Sequence, residues 1–213
     1  MPLAFSPSHV LRTCLSIVVL VALGCTGSDD GPSLEAQREA PLVDSILGEI
    51  AEQEELGGLV PSDVRVAMPW QQGTIVKPPS GGEGTSTLSA VTVETIENFD
   101  RIVVEFGDRD PGLGYWSELL DTPPRRCASS IPPESVAEHW VILRMSPAQA
   151  HDETGTPTVQ DRVQRVDFDN VRGAEIICDF EGAVEVAIAL TRPAAYRIID
   201  VGNPDRLIVD VIR

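Results

Sequence analysis

The chain has 213 residues, enough for one domain with appendages, and 33 acids against 16 bases give it a formal net charge of -17. That balance leaves no basic stripe for phosphate contacts and repels anionic headgroups, so nucleic acid and an anionic membrane surface are excluded as electrostatic partners. Aromatic residues make up only 5%, so Val, Ile and Leu must supply most of any core, and Lys77 is the one lysine.

The first element is an apolar run of about ten residues, LSIVVLVALG, preceded by His9 and Arg12 and closed by Cys25. A membrane-spanning helix needs about 20 apolar residues. The run is too short for that and fits the apolar region of a secretory signal. Ala22-Leu23-Gly24-Cys25 resembles the lipobox of bacterial lipoproteins, with the small residue at the cleavage point in place and the two before it exchanged. The resemblance implies a signal peptide over 1–24, removal before Cys25, and lipidation of Cys25. Two or more acyl chains at ~0.8 kcal/mol per buried CH₂ then hold the protein stably on a membrane.

Residues 25–87 read as a tether. GSDDGPS and PPSGGEGTST bury too little apolar area to offset chain entropy. Eleven acids against three bases keep the segment extended, at roughly 40–45 Å end to end for a coil of ~60 residues. One stretch departs from coil. Leu42, Ile46 and Ile50, flanked by Val43 and Leu47, form a single helical stripe. The spacing predicts a short helix over 42–56, opened by Pro41 and stopped by Gly57-Gly58. Such a helix packs on the domain or docks a partner.

From Leu88 to Arg213 the texture is all-β. Nine short runs rich in Val and Ile alternate with turn residues: LSAVTVETI, RIVVEF, GYWSELL, HWVILRM, RVDFD, AEIICDF, AVEVAIAL, YRIIDV and RLIVDVI. Close spacing of short strands predicts a β-sandwich of mostly antiparallel strands. In AVEVAIAL the alternation turns Val184, Val186, Ile188 and Leu190 inward. Two runs are near-repeats: Asp100–Phe106 lines up with Asp205–Val211. A period of two puts Ile102, Val104 and Phe106 inside, with Leu207, Val209 and Val211. Arg101, Val103 and Glu105 then face outward, as do Arg206, Ile208 and Asp210. Each outer face reads cation, aliphatic, anion.

The stretches FDRIVVEF, AQAHDETGTPT, DFEGAVEVAIAL and YRIIDVGNPDRLIVDV resemble the AMIN-like domain of bacterial envelope lipoproteins. The last also resembles the AMIN domain proper, which sits on cell-wall amidases and secretin pores and binds or localises to peptidoglycan as a β-sandwich. The resemblance implies an exported, wall-associated module on the outer leaflet of the cell membrane or on an outer membrane, facing periplasm or wall. It implies peptidoglycan, or another envelope protein, as partner and no cofactor. Peptidoglycan carries carboxylates, amines and sugar hydroxyls. An Arg fork clamps a carboxylate bidentately, an acid accepts from an amine, and an aromatic ring stacks on a sugar. The candidate ligand face is Arg101, Glu105, Arg197, Arg206 and Asp210 with Tyr115 and Trp116.

Of four cysteines, Cys14 leaves with the signal and Cys25 takes lipid, so Cys127 and Cys178 remain to form a disulfide in an oxidising compartment. A peptidase reading would use Cys178 as nucleophile with His139 or His151 as base. An IICDF strand offers no exposed, thiolate-favouring setting for it. His151-Asp152 has no HExxH or CxxC partner that would complete a metal site. The reading is therefore a non-catalytic module.

Overall fold

The computed structural model describes residues 56–60 and 62–213. The signal peptide, Cys25 and the predicted helix up to residue 55 lie outside the described residues. In chain order the strands are β1 (Val64–Ala67), β2 (Ile75–Lys77), β3 (Ser86–Ile96), β4 (Phe99–Asp108), β5 (Gly114–Leu120) and β6 (His139–Ser146). They continue as β7 (Ala148–Gln149), β8 (Val163–Arg165), β9 (Val171–Phe180), β10 (Ala183–Leu190), β11 (Tyr196–Gly202) and β12 (Asp205–Ile212). They form two six-stranded sheets, ordered β1-β11-β12-β4-β3-β7 and β2-β5-β6-β10-β9-β8. Every pairing is antiparallel except β3 with β7. The described residues form an all-β sandwich, as the alternation predicts.

The core lies between the sheets because period-2 alternation points one side of each strand there. Ile102, Val104 and Phe106 of β4 and Leu207, Val209 and Val211 of β12 meet Val184, Val186, Ile188 and Leu190 of β10 and Val141, Leu143 and Met145 of β6. Fully burying one such side chain contributes about 1.5–3 kcal/mol. Tyr196 crosses this core. Its hydroxyl donates to the Gly73 carbonyl at 2.8 Å and accepts from Ser117 Oγ at 3.0 Å, tying the chain before β2 to both sheets.

Two predicted boundaries shift. Residues 64–77 belong to the sandwich, not to a tether. Val-Arg-Val-Ala becomes β1 beside β11, and Ile-Val-Lys becomes β2 beside β5. Strands of four and three residues are too short to announce themselves among Gly and Pro, and they form because each sheet offers them an unpaired edge. The second shift concerns RVDFD. The strand there is Val163–Arg165, and the following Asp-rich stretch turns. Phe168 N–H donates to the Val171 carbonyl at 3.2 Å in that turn, and Asn170 ties it to the connection after β10 by accepting from the Arg192 backbone N–H and the Thr191 hydroxyl, both at 3.1 Å.

Candidate functional site

The near-repeat strands are direct neighbours at the centre of the first sheet. Their antiparallel register opposes Arg101 to Asp210, Val103 to Ile208 and Glu105 to Arg206. The adjoining strands extend these pairs into three rows across the outer face. One row is Arg197, Asp210, Arg101 and Glu94; the next is Ile199, Ile208, Val103 and Thr92; the third is Val201, Arg206, Glu105 and Ala90. The predicted outward geometry is therefore present.

Exposure is not. Leu56, Leu59 and Val64 pack on Val103, Ile199, Val201 and Ile208 and close over the apolar row. Asp210 is fully buried, and Arg101 and Arg197 are each 3% exposed. Arg101 grips Asp210 with Nε at 2.7 Å and Nη2 at 3.0 Å, and Nη2 also donates to the Leu56 carbonyl at 2.9 Å. Arg197 Nε donates to Asp210 Oδ2 at 3.1 Å. The Trp70 ring lies 4.3 Å from the Arg197 guanidinium, and Phe99 lies 5.3 Å from that of Arg101. Gly57 sits at φ +66°, and a Cβ there would stand 3.2 Å from the Arg101 guanidinium. These three charges are spent on one another, and Arg101 also ties down the covering segment through Leu56. Glu105 and Arg206 are half-buried beside them.

The two aromatic candidates separate because they are consecutive on β5. Tyr115 faces the core and is 3% exposed. Its phenol is pushed up to about 12, by burial first and by the Asp200 carboxylate second. Asp200 is fully buried, receives Lys77 Nζ at 2.8 Å, and has Arg109 Nη2 at 2.8 Å from its other oxygen without hydrogen-bond alignment. Trp116 faces outward on the second sheet and is half-buried.

Trp116 lines an open groove, with its neighbour Tyr115 also in the lining. The groove holds about 160 Å³ and lies between Trp116, Arg144 and Ser146 on one side and Val76, Pro78 and Pro79 on the other. Gly114 permits this wall, since a Cβ there would meet the Pro79 nitrogen at 2.4 Å. Arg144 is about half exposed and donates to Glu185 at 3.1 Å. Val76 is 52% exposed. Sequence reasoning missed Val76, Pro78, Pro79 and Arg144. Lys-Pro-Pro followed by Ser-Gly-Gly reads as linker until β2 pairs with β5.

Cys127 and Cys178 are disulfide-bonded with Cα atoms 5.2 Å apart, so Cys178 has no thiol to act as nucleophile. Each of the two described histidines is tied to an aspartate: His139 Nδ1 donates to Asp121 and His151 Nδ1 to Asp179, both at 3.0 Å. For Asp179, burial opposes ionisation, but the Ala150 N–H, His151 and Arg162 together overcome it and hold the carboxyl below the usual carboxylate range. Among the described residues no group of three His, Cys, Asp or Glu is placed to hold a metal ion.

A family model for the AMIN-like domain matches residues 86–213. The chain belongs to the AMIN-like domain family. No curated protein and no solved structure matches it. Trp116 and Arg144 lie inside the region matched to the AMIN-like domain, whereas Val76, Pro78 and Pro79 precede it. The groove is therefore built jointly by the AMIN-like domain and the segment before it.

Proposed function

We propose that this AMIN-like protein is a non-catalytic cell-envelope lipoprotein that binds peptidoglycan through the Trp116 groove. The observation that carries the reading is an outward aromatic ring flanked by a half-exposed Arg and a two-proline wall in a chain of this family. A sugar ring stacks its C–H face on Trp116, and the Arg144 fork takes a carboxylate of the stem peptide or lactyl group. At about 160 Å³ the groove is below the ~300–1,000 Å³ of enclosed small-molecule pockets, which suits one unit of a strand lying across the surface. The leader ending at Cys25 supports export and a lipid anchor at that residue.

A second reading takes another envelope protein as partner. It draws on Ile131 and Val136, which are 57% and 92% exposed in the segment between β5 and β6. Co-sedimentation with purified wall sacculi separates the two. Binding that is lost in Trp116→Ala supports the first. No sedimentation of the wild-type protein contradicts it and leaves capture of an envelope protein as the expected activity.

A further inference from the structure

The disulfide is on the surface. Cys127 is exposed and Cys178 is half-buried, and both line a cavity of about 250 Å³ with Arg126, Arg162, Ser129 and Asp179. Cys127 follows Arg125 and Arg126 directly, a cationic pair in a chain with few bases. Arg125 is exposed and donates to the Ser130 carbonyl at 2.7 Å. Arg126 spends its Nε and Nη2 on Glu175 and Glu134. Among the described residues, the side-chain partner of the Arg162 guanidinium is Asp179, through one nitrogen at 3.1 Å. An exposed disulfide with guanidinium groups around it is set to be attacked, because the attacking species and the leaving species are both thiolates.

We propose that Cys127–Cys178 is a thiol–disulfide exchange site for small thiols that carry carboxylates. The cavity admits the body of such a molecule, and the arginines meet its carboxylates while its sulfur approaches the exposed Cys127 Sγ. The thiolate attacks Cys127 Sγ, forming a mixed disulfide there. The Cys127–Cys178 bond breaks and its electron pair leaves on Cys178 Sγ as thiolate. A second molecule of the same thiol attacks the mixed disulfide, releasing Cys127 thiolate and the small-molecule disulfide. The protein gains two electrons, and the two small thiols are oxidised to one disulfide. Cys127 is fastened to β9 by one further bond, from its backbone N–H to the Ile177 carbonyl at 3.2 Å. After reduction that bond and the Arg126 contact with Glu175 still hold the Cys127 end of the segment between β5 and β6 against β9. That segment's Ala137 packs on Trp140, Ile142, Ile177, Ala187 and Ala189.

The test uses the full chain under native conditions with glutathione as the anionic thiol and 2-mercaptoethanol as the neutral one. Rates are compared per thiolate, and adducts are located by peptide mass spectrometry. The expected result is a first adduct on Cys127. The glutathione-to-mercaptoethanol rate ratio should fall by about fivefold, the size of one close charge pair in water, as salt rises from about 0.01 M to about 1 M and the Debye length shrinks from about 30 Å to about 3 Å. Arg162→Gln and the exposed Arg125→Gln should each lower the low-salt ratio, slowing glutathione more than mercaptoethanol. A ratio that rises with salt shows the net charge repelling anions and overturns the proposal. So does reduction that occurs only when the protein unfolds, or a first adduct on Cys178.

Discussion

The two outer faces of the sandwich are built on the same strand geometry and end in opposite conditions. On the first sheet, Asp210 sits buried between Arg101 and Arg197 in a row of alternating charge, with Leu56 and Trp70 against the two guanidinium groups. On the second sheet, Trp116 and Arg144 stand at an open groove whose far wall is Pro78-Pro79. Alternating charge thus marks an outward face, and whether that face meets solvent is decided by chain elsewhere. A segment before the family-matched region closes one face and completes a groove on the other.

The largest expected effect comes from breaking the sealed row. Asp210→Ala removes the carboxylate that two buried guanidinium groups share, and loss of one partner from a buried charge cluster costs about 3–5 kcal/mol. Urea unfolding should show it as a fall in midpoint with little change in slope. A midpoint shift like that of an exposed substitution would mean the row is open to water. Next is the disulfide on the second face. Replacing both Cys127 and Cys178 by Ser removes a bridge across 51 residues, for which the chain-entropy model gives about 4 kcal/mol within a range of about 0–5. Gly57→Ala should cost about 1–2 kcal/mol, since it places a Cβ at φ +66° against Arg101 and loosens the cover alone. Proteolysis near residue 57 should rise while the β-sheet circular dichroism signal stays.

A smaller effect depends on pH. The folded carboxyl of Asp179 is held below its unfolded value, so its contribution is present above about pH 4 and is lost as pH falls through the folded value. Asp179→Asn should flatten the stability profile in that acid window and lower stability near neutrality. An unchanged slope in the window would show that the His151 and Arg162 contacts do not favour the ionised form.

Much of the core was legible because alternation is local. Gly114–Leu120 and Ala183–Leu190 fall where their runs predict, and the inward sides of β4 and β12 follow from period two. The cysteine pair was legible because the expected leader and lipid site set aside the other two. The cover over Asp210 was not legible, since Arg101 in an outward position reads alike under water or under Leu56. Tyr115 and Trp116 were grouped by adjacency, and the pleat sends neighbours to opposite faces. The groove wall was hidden because β2 has three residues and only its pairing with β5 makes it a strand.

Sacculus co-sedimentation of Trp116→Ala beside Arg206→Ala tests the central claim most directly, because each changes one face and leaves the other intact. The account predicts that Trp116→Ala stays in the supernatant while Arg206→Ala sediments like the wild-type protein. Retention by Trp116→Ala together with loss by Arg206→Ala would place the wall-binding face on the first sheet and contradict it.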